Sequence, residues 1–116
     1  MKAIVKKPWG SYQVINEGKN YLVKKIIVNS HSKLSLQSHK HRSEHWVVVK
    51  GLAEVTINGN IRNLESNQNI YIPLQAKHRL ANNCDENLIL IEIWYGEILD
   101  EDDIIRFEDI YNRVNK

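Results

Sequence analysis

The stretch between Leu34 and Gly51, LSLQSHKHRSEHWVVVKG, concentrates side chains that can bind a metal ion or transfer a proton. Three histidines, a glutamine, a glutamate and an arginine lie there between residues that favour strands. Imidazole nitrogens and carboxylate and amide oxygens are ligands of divalent transition metals. Because burying unpaired polar groups is costly, an idle strand avoids such a cluster. The segment therefore predicts a metal site or an active site.

Strand geometry limits which of these side chains can meet. Gln37, His39 and His41 share one face because side chains alternate along a strand. Glu44 is an odd number of positions from His39, so it joins that face only if the strand breaks between them. The residues KHRS can supply the turn. His45 then points the other way and is predicted to be structural.

A further ligand must come from elsewhere in the chain. His78 opens another predicted strand, after the proline turn in YIPLQAKHRLAN. Together with the amide and carboxylate oxygens above, its imidazole can complete a set of nitrogen and oxygen ligands. His31 and Cys84 receive no predicted role.

Length and composition bound the class of protein. At 116 residues the chain is expected to form one domain, 1–116, around one core. A net charge of +2 gives no reason to expect a nucleic-acid or membrane partner. Cys84 is the only cysteine, so no intrachain disulfide can form. The N-terminal MKAIVKKPWG has no apolar stretch long enough for a secretory signal, and we expect a cytoplasmic protein.

Short runs rich in Val, Ile, Tyr and Trp recur along the chain and predict strands. The runs are YQVI (12–15), YLVKKIIV (21–28), KLSLQSH (33–39), EHWVVVK (44–50), AEVTI (53–57), NIYIP (69–73), HRLA (78–81) and LILIEIWY (88–95). The pair Asn58-Gly59 is a hairpin signal. Many short strands without interleaved helices predict a sandwich or barrel. Only DEDDIIRFEDIYNR (100–113) indicates a helix, because its acidic first turn suits the helix dipole.

The spacing of the polar segment resembles the first motif of the cupin superfamily, G-x5-H-x-H-x3/4-E-x6-G. Cupins are small β-barrels of the jelly-roll type. Glu44 and Gly51 have the separation that the motif requires. His39 then stands at the second histidine of the motif and Gln37 at the first. His31 occupies the opening glycine position.

A second cupin motif, G-x5-P-x-G-x2-H-x3-N, is matched further along the chain. Pro73, His78 and Asn82 have the required spacing. Asn67 and Gln75 stand where the motif has its two glycines, which can alter the turns but removes no ligand.

Four segments in order resemble type II phosphomannose isomerases: KPWGSY, LSLQxHxHRxEHWVVVxGxAEVT, YIPLxAKHRLxN and EDDIIRFEDIYNR. The resemblance runs from Lys7 to Arg113. In that family the cupin unit is commonly the C-terminal part of a bifunctional enzyme that also contains a mannose-1-phosphate guanylyltransferase. This chain has no Gly-rich nucleotide-binding loop and is too short for that domain. We therefore expect no guanylyltransferase activity from this chain. A separate guanylyltransferase is a candidate partner.

The resemblance implies an all-β cupin-type jelly-roll barrel, with the short C-terminal helix predicted above. It implies interconversion of mannose 6-phosphate and fructose 6-phosphate, with one divalent metal ion bound by Gln37, His39, Glu44 and His78. One carboxylate leaves such a site with a residual charge of about +1, which can polarise a sugar oxygen. These ligands suit Zn²⁺, Co²⁺, Mn²⁺, Ni²⁺ or Fe²⁺.

The remaining roles are assigned to basic residues. Arg42 is expected to contact the enediolate or the phosphate, because guanidinium binds oxyanions bidentately. His41, on the predicted ligand face, is the candidate for proton transfer. Lys77 and Arg79 flank His78 and are candidates for phosphate binding, although one strand cannot direct both inward.

Two other functions remain open from the sequence. A cupin can bind a sugar or sugar nucleotide without turnover, acting with a guanylyltransferase. An iron cupin oxygenase is the third candidate, but Gln37 stands where such enzymes have a histidine.

We also expect a homodimer, because two apolar rows lie opposite the ligand face and need cover. These rows are Val47 and Val49, and Ile89, Ile91 and Ile93.

Overall fold

The computed structural model describes residues 2–113, and all regular structure in that range is β-strand. The strands are β1 (Val5–Lys7), β2 (Gly10–Gly18), β3 (Tyr21–Val28), β4 (Ser32–Lys33), β5 (Leu36–Ser38), β6 (Ser43–Lys50), β7 (Ala53–Ile57), β8 (Asn60–Leu64), β9 (Asn69–Ile72), β10 (His78–Asn82), β11 (Leu88–Tyr95) and β12 (Ile105–Glu108). The predicted all-β class is confirmed. Three predicted runs, 21–28, 53–57 and 88–95, match their strands from end to end.

The strands form two antiparallel sheets. The first sheet has the order β1-β2-β3-β11-β6-β9, and the second has the order β12-β5-β10-β7-β8, with β4 also paired to β10. Buried residues from both sheets form one apolar cluster, which includes Trp9, Val48, Val55, Leu80 and Leu90. The inner faces of the two sheets therefore share one core, and the candidate site lies between them.

Alternation of side chains sets the inner face of the first sheet. In β3 the residues Leu22, Ile26 and Val28 are buried. Lys24 has the same parity and is also buried. Glu92 on β11 pairs with Lys24 across the sheet and is buried too. The apolar face of this sheet thus contains a lysine and a glutamate, which is the opposite of what its hydrophobic pattern favours.

The predicted hairpin at Asn58-Gly59 is present. It joins β7 and β8, and Asn58 and Gly59 have φ angles of 47° and 85°. Two positive φ angles are what a two-residue hairpin turn of the favoured hand requires.

Three turns keep the backbone conformation of a glycine although another residue occupies the position. His31, Asn67 and Gln75 have φ angles of 51°, 71° and 65°. These are the positions at which the cupin motifs have glycine. Positive φ is uncommon outside glycine, although Asn and His tolerate it better than most residues. The residues at these three positions therefore adopt the positive φ that glycine favours.

The predicted C-terminal helix is wrong. Within residues 100–113 the chain instead forms a turn, the strand β12 along β5, and a second turn. The acidic residues accept hydrogen bonds from backbone amides instead. Asp103 accepts from the backbone nitrogens of Lys40 and His41, both at 2.9 Å. Asp109 accepts from the backbone of Arg113 at 2.9 Å. Because an isolated short helix is marginal, pairing with the edge of the second sheet prevails.

Among the described residues, no helix has the length and apolar character needed to span a membrane.

Candidate metal centre and its cavity

Three of the predicted ligands converge between the two sheets. His39 lies where the chain leaves β5, Glu44 is on β6 and His78 opens β10. Their ligand atoms lie within 4.8 Å of one another, and all three residues are buried. Nε2 of His39 lies 3.2 Å from Oε2 of Glu44. The break in the strand around residues 39–42 brings this carboxylate to the histidine, as the parity argument requires.

Both imidazoles are oriented by their second nitrogen. Nδ1 of His39 lies 2.7 Å from the carbonyl oxygen of Asp103, and Nδ1 of His78 lies 2.9 Å from that of Ala76. A carbonyl only accepts, so each Nδ1 must carry the proton, which leaves Nε2 unprotonated. Metal-binding histidines commonly donate their other N–H to a carbonyl or carboxylate in this way. The residues therefore fit a divalent metal ion.

The protonation states match this use. Burial lowers the pKa of His39 to about 4, so its imidazole is neutral near pH 7. Burial also lowers the pKa of His78. Burial alone would raise the pKa of Glu44, but the positive charge of Arg42 and contacts with the histidines lower it to about 2. The site thus presents two neutral imidazoles and one ionised carboxylate.

Gln37, the fourth predicted ligand, lines the same cavity. It lies directly opposite His78 in the pairing of β5 with β10. Its side-chain nitrogen donates to the hydroxyl of Ser35 at 3.1 Å. This bond uses the amide nitrogen, so the amide oxygen is left for the site.

Arg42 contacts the candidate ligands directly. Its Nε donates to Oε2 of Glu44 at 2.8 Å, and its NH2 nitrogen lies 3.2 Å from Nε2 of His39. The guanidinium carbon is 3.3 Å from the ring centroid of Trp94. The other carboxylate oxygen of Glu44 accepts from the indole nitrogen of Trp46 at 2.9 Å. A rigid cation is therefore held beside the candidate metal position.

A cavity of about 280 Å³ opens beside these residues. Lys24 lies on its wall with its ammonium between two rings, 3.8 Å from the centroid of Tyr12 and 3.7 Å from that of Trp94. The ammonium also forms an ion pair with Glu101. Burial, and then the charge of Glu44, raise the pKa of Glu92 on the same wall. Trp46 and Trp94 are buried, and both face this cavity.

Three predicted site residues do not line the cavity. His41 is exposed, because the chain bends at residues 40–41 and turns its side chain to the surface. Lys77 is exposed too, with its ammonium 4.4 Å from the ring centroid of Phe107. Arg79 is half-buried and donates to the carbonyl oxygens of Leu34 and Glu108. The expected placement of His41 on the ligand face is therefore wrong, and neither basic neighbour of His78 reaches the cavity.

Other charged residues line the cavity instead. They are Lys7, Lys24, Glu92, Glu101, Asp102, Arg106 and Arg113. For two of them a signal was available: Lys24 has the parity of Leu22 and Ile26, and Glu92 has that of apolar neighbours on β11. A charged residue on an apolar face marks a functional site more often than a core. Four of the others lie in the segment that was expected to be helical.

Comparison with known proteins agrees with the geometry. The profile of the family described as "Mannose-6-phosphate isomerase C-terminal" matches residues 1–109. The chain belongs to this family. It is 53% identical over 110 residues to "Mannose-1-phosphate guanylyltransferase ManC" of Salmonella typhimurium, covering 95% of this chain and 23% of that protein. It is 50% identical over 111 residues to "Alginate biosynthesis protein AlgA" of Pseudomonas syringae pv. tomato, covering 96% and 23%.

The chain spans about a quarter of the length of these curated relatives. Among solved structures, an RmlC-like cupin from Shewanella frigidimarina superposes with a TM-score of 0.73 at 21% identity, covering 86% of each chain. At that identity the likeness shows the fold alone, and the fold is that of a cupin.

Proposed function

We propose that the chain is a metal-dependent aldose–ketose isomerase that interconverts mannose 6-phosphate and fructose 6-phosphate. The observation that carries the proposal is the convergence of His39, Glu44 and His78, with both imidazoles anchored through Nδ1, beside an arginine in a cavity. Membership of the mannose-6-phosphate isomerase C-terminal family supports the same substrate.

We propose that Gln37, His39, Glu44 and His78 hold one divalent metal ion. When bound, the ion acts as a Lewis acid that stabilises negative charge developing on a sugar oxygen during isomerisation. The chain fixes the ligands through Asp103, which holds His39, and through Ala76, which holds His78. Mutating the partner in such an outer contact typically lowers metal affinity or activity by roughly 10- to 100-fold.

Arg42 is the proposed oxyanion contact. Its Nε is bonded to Glu44 and its NH1 nitrogen donates to the carbonyl oxygen of Asp100 at 3.1 Å. With two nitrogens fixed and the plane stacked on Trp94, the NH2 group is directed toward the centre of the site. A charge that is already in place costs no reorganisation when negative charge develops.

The reaction moves a proton between C1 and C2, and this requires a titratable group that reaches the sugar. His41 is exposed and is not proposed for this step. The described cavity wall offers the ammonium of Lys24 and the carboxyl group of Glu92, together with the carboxylates of Glu101 and Asp102.

We further propose that the product feeds a mannose-1-phosphate guanylyltransferase, in the same polypeptide or as a separate protein. The relatives named for guanylyltransferase activity and for alginate biosynthesis support a place in the synthesis of polysaccharide precursors. No nucleotidyl-transfer activity is proposed for the segment 1–116 itself.

A coupled assay of fructose 6-phosphate formation from mannose 6-phosphate tests the isomerase. Chelated protein should be inactive, and activity should return on addition of a single divalent metal. Arg42→Ala should keep its metal content while kcat/KM falls by roughly 100-fold, because one preorganised charge contact to the transition state is lost. Lys77→Ala, which removes an exposed cation outside the cavity, is the matched control and should retain the rate.

Three outcomes separate the candidate functions. Metal-loaded protein that binds mannose 6-phosphate without turnover would favour the sugar-binding cupin. Oxygen consumption would favour the iron oxygenase. Normal turnover in Arg42→Ala would leave the isomerase standing and remove Arg42 from its mechanism.

A further inference from the structure

Arg106, on β12, carries a buried donor without a partner. Its Nε is inaccessible to solvent, and within residues 2–113 no group accepts a hydrogen bond from it. A guanidinium has five N–H donors in a fixed plane and no acceptor. Leaving a buried donor unpaired is costly, so natural structures rarely retain one without a reason. Because Arg106 lines the cavity, a ligand that enters it can accept hydrogen bonds from the guanidinium group.

Arg106 has a second arginine beside it. Arg113 also lines the cavity. Burial, and then the charge of Arg113, lower the pKa of Arg106, while the carboxylate of Asp109 acts in the opposite direction. Arg113 has its own carboxylate, because its Nε and NH2 donate to Asp109 at 2.7 and 3.2 Å. The other buried cations of the cavity are paired as well, Lys24 with Glu101 and Arg42 with Glu44. Arg106 has no such ion pair within residues 2–113, so this part of the cavity attracts an anion.

The position of Arg106 relative to the metal ligands is fixed by strand pairing. Arg106 lies opposite Gln37, and Gln37 lies opposite His78. Residues opposite one another in antiparallel strands project on the same face. Arg106, Gln37 and His78 therefore form a row across the inner face, with Arg106 two strand spacings, roughly 10 Å, from His78. The phosphate and the carbonyl end of a hexose 6-phosphate are likewise at opposite ends of the molecule.

We propose that Arg106 is the phosphate-binding residue of the cavity and receives the phosphate monoester of a hexose phosphate whose C1–C2 end faces His39, Glu44 and His78. The planar guanidinium matches two phosphate oxygens, which gives both charge and direction. This assignment rests on the proposed function and replaces Lys77 and Arg79, neither of which lines the cavity.

Binding measured without turnover tests the assignment. Isothermal titration calorimetry of the metal-loaded chain compares mannose 6-phosphate with mannose. The wild type should bind the phosphorylated sugar more tightly. Arg106→Gln should weaken binding of mannose 6-phosphate by roughly 10- to 100-fold, the effect of losing a charge-assisted hydrogen-bonded contact, and leave binding of mannose unchanged. Arg106→Lys, which keeps the charge but not the planar fork, should fall between the two.

Lys77→Gln is the matched control, because it removes one positive charge from the surface outside the cavity. It should bind both sugars as the wild type does. Far-ultraviolet circular dichroism and a thermal melt check that Arg106→Gln is folded. We expect it to melt no lower than the wild type, since the substitution removes a half-buried cation whose Nε has no hydrogen-bond acceptor among the described residues.

The outcomes separate the subsite from the reaction. Equal affinity of the wild type for mannose and mannose 6-phosphate would overturn the subsite, and so would undiminished binding by Arg106→Gln. If the wild type turns over mannose 6-phosphate and Arg106→Gln matches it in both KM and affinity, the isomerase stands and the subsite is refuted. If the wild type shows no turnover but its preference for the phosphorylated sugar depends on Arg106, the subsite stands without the isomerase.

Discussion

Replacing Lys24 with methionine should stabilise the protein. Lys24 is 2% exposed, and removing an ammonium from water costs several kcal/mol even after the protein relaxes. Its carboxylate partner, the side chain of Glu101, is 47% exposed, so water screens the pair and it returns only about 1 kcal/mol. Contacts with the rings of Tyr12 and Trp94 return about 1–2 kcal/mol each. The cost of burying the ammonium and the gain from its contacts nearly cancel, and the cost is slightly larger. The lowered pKa of Lys24, caused first by burial, points the same way.

Methionine keeps most of the length and apolar volume of lysine, and its loss of charge leaves the exposed Glu101 in water. We expect Lys24→Met to gain about 1–2 kcal/mol in the free energy of unfolding. For a chain of 116 residues this corresponds to a rise of roughly 5 °C in Tm. Urea denaturation of chelator-treated protein, with a thermal melt beside it, measures both quantities.

Glu101→Gln is the informative comparison, because it leaves the buried ammonium without its carboxylate. It should lose about 1–3 kcal/mol, and the loss should vanish when Lys24→Met is also present. A Lys24→Met protein that is less stable than the wild type by 1 kcal/mol or more would refute the reasoning, since the ammonium would then be a net source of stability.

Four further predictions concern the metal site, the turns and the assembly. His39→Ala should lose most bound metal in elemental analysis, whereas His45→Ala, exposed on the opposite face, should retain it; full occupancy in the first variant would contradict the ligand set. In metal-free protein His39 has a pKa of about 4 when folded and 6.5 when unfolded, so the unfolded state takes up a proton on His39 at a higher pH than the folded state does. The free energy of unfolding should therefore fall by roughly 2–3 kcal/mol as the pH drops from 7 to 4. If urea denaturation gave the same free energy of unfolding across this range, His39 would not be a neutral buried imidazole. Gln75→Gly should raise the free energy of unfolding by up to about 1 kcal/mol, because Gln75 has a φ of 65°. Asn67→Gly should change it less, and the urea midpoints of the two variants measure the difference. The chain should be a homodimer in light scattering at micromolar concentration, and Val49→Glu should shift it toward the monomer. The reason is that Val49 is 52% exposed in an apolar row on the outer face of the first sheet. A monomeric wild type would exclude this.

Much of the fold was predictable because it depends on local patterns. The run YLVKKIIV alternates between inner and outer residues, and its strand begins and ends at Tyr21 and Val28. Asn58-Gly59 accepts the positive φ angles of its hairpin. Strand parity and the match to the cupin motifs together pointed to His39, Glu44 and His78, whose side chains the structure brings together.

The rest depended on contacts between segments far apart in sequence. The segment 100–113 has an acidic start that suits a helix, but the free edge of β5 offered it backbone partners that no local pattern reveals. Arg106 was missed with that segment. His41 was misplaced because the bend at residues 40–41 cancels the parity with Gln37. Lys77 and Arg79 flank His78 in sequence, but strand geometry directs them to the opposite side.

The order of synthesis gives the segment after Tyr95 a separate role. The strands that carry His39, Glu44 and His78 leave the ribosome first and can pair among themselves. The contacts from Asp103 to His39 and from Asp100 to Arg42 become available only afterwards, across 64 and 58 positions of sequence. The pairing of β12 with β5 also comes later. Contacts at such separation form slowly, because a long loop must close before they are gained. Until residues 100–113 are added, the side chains of Glu101, Asp102 and Arg106 are missing from the cavity wall. A sugar phosphate that bridges the two parts would favour the closed arrangement.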